Sequence, residues 1–117
     1  MGEVHEGPGA GMRTVVLRTA AEQERGLQWA RAEPGTLYAF PDVPCGAVFH
    51  SRNVQAPFDL AFLSRDWAVL WSGTLVPPWA TARAPTGSWL AIESEAGLMG
   101  REGIRRGARV PRAGRAS

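Results

Sequence analysis

Residues 57–75 read PFDLAFLSRDWAVLWSGTL, and this stretch decides the fold class. Pro57 restarts the chain, and Phe58–Leu63 is a mostly apolar run of strand length that reads as buried. Ser64-Arg65-Asp66 is a polar connection of hairpin type. Trp67–Leu75 follows as the longest strand, its alternate positions Trp67, Val69 and Trp71 sharing one face. Two strands joined this closely predict antiparallel pairing within a β-rich domain.

The flanking segments extend that pattern in both directions. Arg13–Arg18 is a strand candidate with β-branched residues at its centre. Thr19-x-x-Glu22 is a capping box, so a helix is expected from there to about Ala30, with Leu27 and Trp29 near its end. Glu33-Pro34-Gly35 reads as a turn, Thr36–Phe40 as a strand, and Gly46–His50 as a short strand before the polar Ser51-Arg52-Asn53. A Pro-rich loop over 76–87 leads to a strand at Ser88–Glu93. Ser94 can cap a short helix through Met99, and Gly103–Val110 reads as a turn and a closing strand. The expected fold is therefore α+β and β-rich. Its core is a small antiparallel or mixed, barrel-like sheet with one or two short helices.

The chain has 117 residues, 44% of them hydrophobic, which suits one domain over 13–110. Residues 1–12 read as a flexible, acidic, Gly-rich arm, and 111–117 as a basic tail. One cysteine excludes an internal disulfide framework and any Cys-rich zinc module. No apolar run approaches the roughly 18 residues of a membrane span. The start carries Glu3 and Glu6 with no apolar stretch, so it does not read as a secretory signal, and a cytoplasmic product is expected. All 13 basic residues are Arg, as a GC-rich coding sequence would favour. The net charge of +2 conceals −3 over residues 1–100 and +5 over 101–117.

Several of these pieces, in order, resemble the domain-of-unknown-function family 192 over about residues 14–110. They are Arg25-Gly26-Leu27, Gly35-Thr36-Leu37-Tyr38-Ala39-Phe40, Phe49-His50-Ser51-Arg52-Asn53-Val54 and Pro57-Phe58-Asp59-Leu60-Ala61-Phe62. Ile92-Glu93 with Ala96-Gly97, then Gly103-Ile104 and Gly107, are similar to the family's closing segment. His50 and Ser51 stand where the family has tryptophan and methionine. The resemblance implies a compact β-rich fold and no particular reaction.

Candidate chemistry is sparse. His50, Arg52, Asn53 and Asp59 cluster at a strand-loop-strand junction and could form a polar ligand pocket, with Arg52 gripping a carboxylate or phosphate. His50, Ser51 and Asp59 are the residue types of a hydrolase triad. Adjacent residues on a strand face opposite ways, however, and there is no Gly-x-Ser-x-Gly elbow. Trp79 in the Pro-rich loop is a candidate protein-contact anchor. Arg105, Arg106, Arg109, Arg112 and Arg115 could meet an acidic partner surface; no nucleic-acid module accompanies them.

With no catalytic signature, the expectation is a non-catalytic accessory protein without metal or cofactor. Its oppositely charged ends and Trp79 suit protein partners in a repeated assembly, for example as a decoration protein of a bacteriophage virion. The alternative is a small-ligand-binding domain using the polar residues near 50–59. Nucleic acid and membrane are not expected partners.

Overall fold

The computed structural model describes residues 3–6 and 12–110. Glu3–Glu6 (β1) pairs antiparallel with Arg13–Val16 (β2), so four residues of the expected front arm form a sheet edge. Residues 7–11 and the tail 111–117, with Arg112 and Arg115, lie outside the described residues. Ala20–Arg25 (α1) opens on the expected capping box. The Thr19 hydroxyl accepts the Glu22 N–H at 3.1 Å, and the Glu22 carboxylate accepts the Thr19 N–H at 3.0 Å. The helix stops five residues short of Ala30. Gly26 (φ +48°) and Trp29 (φ +65°) take backbone conformations that a right-handed helix excludes.

Thr36–Pro41 (β3) lies parallel to β2, which makes β2-α1-β3 a crossover unit. The remaining elements are Val48–His50 (β4), Phe58–Leu63 (β5), Val69–Leu75 (β6), Thr81–Arg83 (β7), Leu90–Glu95 (β8) and Leu98–Arg101 (α2). Six strands form one mixed sheet in the order β1-β2-β3-β8-β5-β6, while β4 and β7 form a separate two-stranded ribbon. The sheet is open, with β1 and β6 at its edges, and does not close into the barrel suggested by the short strands. The closing strand expected near residue 110 is reduced to one bridge, Ala68 to Arg109, because turns at 102–103 and 106–107 interrupt the extended run.

Both faces of the sheet are covered. Leu37, Ala61, Leu63, Ile92, Leu98, Met99 and Ile104 belong to one apolar cluster. Phe40, Phe58, Leu60, Phe62 and Leu27 belong to the other. All six residues of β5 are consequently buried, Asp59 included.

The β5–β6 pair is antiparallel, as the hairpin reading requires, but its alternation is broken. Phe62 lies opposite Trp71 and Leu63 opposite Val69, so Leu70 is an extra residue in β6. This bulge moves Trp71 to the opposite face from Val69. The expected shared face of Trp67, Val69 and Trp71 therefore splits. Trp67 (φ +66°) packs with Val69 on one side, and Trp71 meets Phe62 at a 41° tilt with ring centroids 5.7 Å apart on the other.

Trp71 lies over Gly73, where an added Cβ would sit 2.7 Å from Cη2 and 2.8 Å from Cζ2 of the indole. Gly73→Ala should push the ring off Phe62 and destabilise the fold by about 1–3 kcal/mol. A urea midpoint unchanged from wild type would show that the indole can move at no cost.

Candidate functional site

Glu93 lies in the middle of β8, between β3 and β5. In register it faces Tyr38 on one side and Leu60 on the other. Ala91 belongs to the cluster of Phe40 and Phe62, so Glu93, two residues on, points to that same apolar face. The side chain is 4% exposed, and its Oε1 has no hydrogen-bond partner among the described residues. Removal from water without a counter-charge raises its pKa to about 8. At neutral pH it is therefore largely an uncharged acid, able both to donate and to accept a hydrogen bond.

This acid lines a cavity of about 400 Å³, at the small end of the roughly 300–1,000 Å³ range of small-molecule sites. The walls are chiefly apolar, from Leu27, Phe40, Val43, Phe49 and Val54. Phe40 and Phe49 meet edge to face at 5.2 Å. Gly26, which ends α1, closes another side. A Cβ there would stand 3.4 Å from Phe40 Cζ and 3.7 Å from Glu93 Oε1, so the bare backbone approaches the acid closely. Gln23 and Gln28 also line the cavity, but the carboxamide of Gln23 donates to Leu17 O, and that of Gln28 bonds Glu24 O and Asn53. Glu93 is left as the buried polar group with an unfilled bond.

The four residues expected to make a polar pocket do not converge. His50 alone lines the cavity; its Nδ1 accepts the Arg52 N–H at 3.1 Å. The Arg52 guanidinium sits 5.8 Å above the Trp79 ring. Asn53, at φ +63°, clips two loops together: its carbonyl accepts the Trp29 N–H at 2.7 Å and its amide donates to Gln28.

Asp59 is placed across the sheet. It accepts from Thr74 Oγ1 at 2.7 Å, Gly97 N–H at 2.9 Å and Met99 N–H at 3.3 Å, which ties the start of α2 to β5. Ser51 is fully buried, accepting the Ala80 N–H at 2.7 Å and donating to Val76 O at 3.3 Å. The hydrolase residue types thus serve separate structural bonds.

The family model described as "Uncharacterized ACR", domain-of-unknown-function family 192, matches residues 4–111. The chain belongs to this family. No curated protein matches it. A solved structure of a protein of unknown function from Novosphingobium aromaticivorans DSM 12444 is 27% identical, with a TM-score of 0.74, covering 93% of this chain and 83% of that one. A candidate transcription regulator from Sinorhizobium meliloti 1021 has a TM-score of 0.75 at 18% identity, covering 92% and 90% of the two chains, and supports the fold alone.

Distant parts of this family-192 domain meet at the cavity. Arg25-Gly26-Leu27, Phe40, Phe49-His50 and Val54, and Glu93 all line it, although they come from four separate stretches of chain. The residues proposed for partner contact lie elsewhere. Trp79 is 66% exposed. Arg109 pairs with Asp66 at 3.0 Å and Arg101 with Glu95 at 2.7 Å, while Arg105 and Arg106 are exposed without a partner among the described residues. Those described residues hold no group of three or more His, Cys, Asp or Glu placed for a metal, and no helix long and apolar enough to cross a membrane.

Proposed function

We propose that this chain is a small-ligand-binding domain whose site is the cavity lined by Glu93. One observation carries the reading: a buried carboxyl with an unfilled hydrogen bond is among the residues lining a mostly apolar space of about 400 Å³. Burying an unpartnered polar group costs about 1–3 kcal/mol, and a ligand that completes the bond recovers that cost. The apolar walls supply affinity for the ligand's body, and the acid orients it.

Thermal-shift screening of a metabolite library tests the reading, with Ala47→Trp as the control that fills the cavity. Wild type should show hits that raise its melting temperature by a few degrees. Ala47→Trp should lose them while keeping a cooperative transition. A screen without hits, or hits that survive both Ala47→Trp and Glu93→Gln, would overturn the assignment.

An accessory role in an assembly is a second reading, favoured by the exposed Trp79 ring and the Arg52 stacked on it. It is separable from the first. Trp79→Ala removes the anchor and leaves the cavity walls untouched, so partner capture should fall while ligand hits persist.

A further inference from the structure

Resting on that reading, we infer that the occupant of the cavity is an organic amine with an apolar body, held as an ammonium ion against an ionised Glu93.

The charge around the acid supports this choice. From β3 it is faced by Tyr38, whose hydroxyl already accepts the Glu33 N–H at 3.0 Å and whose ionisation is shifted upward by burial. From β5 it meets only the apolar Leu60. Glu24 and Arg25 of α1 and His50 of β4 line the same cavity. Glu24 and Arg25 are both exposed to water and opposite in charge, so they contribute little net field inside. Glu95, the next residue on this face of β8, is engaged by Arg101. Burial raises the pKa of Glu93, and no cation among the described residues pairs with it.

A carboxyl left in this state lacks a positive partner. An ammonium ion supplies one, fills the open bond on Oε1 and lets the acid ionise. The Phe40–Phe49 pair in the wall offers aromatic surface to a cation or to the body behind it. A neutral amide could fill the same bond but would gain no charge pairing, and an anion would be opposed once Glu93 ionises.

The proton balance makes the idea measurable. Near pH 7 both the free amine and Glu93 carry their protons. Binding as ammonium and carboxylate therefore releases one proton from Glu93 to solvent. Affinity should rise about tenfold per pH unit below the pKa of Glu93 and level off above it.

The probes are 2-phenylethylamine, 3-phenylpropanamide and 3-phenylpropanoate, one body with a cationic, neutral or anionic head, titrated calorimetrically into the full chain from pH 6 to 9. The amine should bind best, with close to one proton released at pH 6.5. Glu93→Gln should lose at least tenfold in amine affinity and all of the pH dependence, while its affinity for the amide is kept. Tighter binding of the amide or the acid by wild type would overturn the amine assignment and leave the binding cavity standing. So would amine binding without pH dependence. Failure of all three probes at millimolar concentration would overturn the amine assignment together with the reading it rests on.

Discussion

Glu93→Gln should make the protein more stable than wild type at pH 8 and above, with the advantage vanishing toward pH 4. In the folded chain the Glu93 pKa is raised from an ordinary 4.5 to about 8. Between those values the folded protein holds a proton that the unfolded chain has already released. Wild-type stability therefore falls as pH rises across this window, by about 1.4 kcal/mol per unit. The accumulated cost is roughly 5 kcal/mol at its upper limit, a large share of the 5–15 kcal/mol that holds a typical domain together. A glutamine side chain at this position would not titrate, so the variant's curve should be flat over the same range apart from other groups. Urea unfolding at pH 4.5, 6.5 and 8.5 would measure the divergence. Parallel curves for the two proteins would mean that water or a neighbouring charge reaches the carboxyl in solution. A bound amine should cancel the same penalty, which links this stability measurement to the ligand assignment.

Asp59→Ala should destabilise the fold by about 3 kcal/mol without changing ligand affinity. The Asp59 carboxylate receives three hydrogen bonds, two of them from backbone N–H groups at the start of α2. A methyl group in its place accepts no hydrogen bond, so the Gly97 and Met99 N–H groups lose their acceptor. Leaving buried donors unpaired costs about 1–3 kcal/mol each, and hydrogen bonds to a charged acceptor are the stronger kind. The loss should appear as a lower urea midpoint, with exchange protection falling first in α2. A variant that folds with wild-type stability would show that α2 is held by the packing of Leu98 and Met99 alone. A variant that keeps its fold but loses amine binding would return Asp59 to the ligand site.

Asp59 and Glu93 show where reading along the chain succeeds and where it stops. Asp59 stands out in the sequence because it neighbours Asn53 and His50, next to a loop. The strand that carries it buries both faces, and an odd-numbered step places it against α2 instead of the cavity. Glu93 does not stand out as a site residue. In Leu90–Glu95 the acids alternate with Leu90 and Ile92, a pattern that ordinarily marks the solvent side of a half-buried strand. A signal is nevertheless present. Phe58–Leu63 has almost no polar face, which indicates a sheet covered on both sides, and any acid on a neighbouring central strand is then buried whichever way it points.

Local chemistry accounts for what the sequence determined unaided: the capping box at Thr19, the hairpin after Leu63, the turn at Pro34-Gly35, and a β-rich α+β domain. Each depends on residues within a few positions of one another, where propensity and side chain–backbone bonding act directly. Tertiary structure alone decided the rest. Non-local pairing placed β8 between β3 and β5, recruited residues 3–6 as an edge, shifted Trp71 across the sheet through one extra residue, and left the barrel open. The same pairing brought Gly26, Phe40, His50 and Glu93 around one cavity. The ionisation of Glu93 belongs to that second category as well, because a carboxyl's pKa is set by how far its neighbours exclude water, and those neighbours lie up to 67 positions away along the chain.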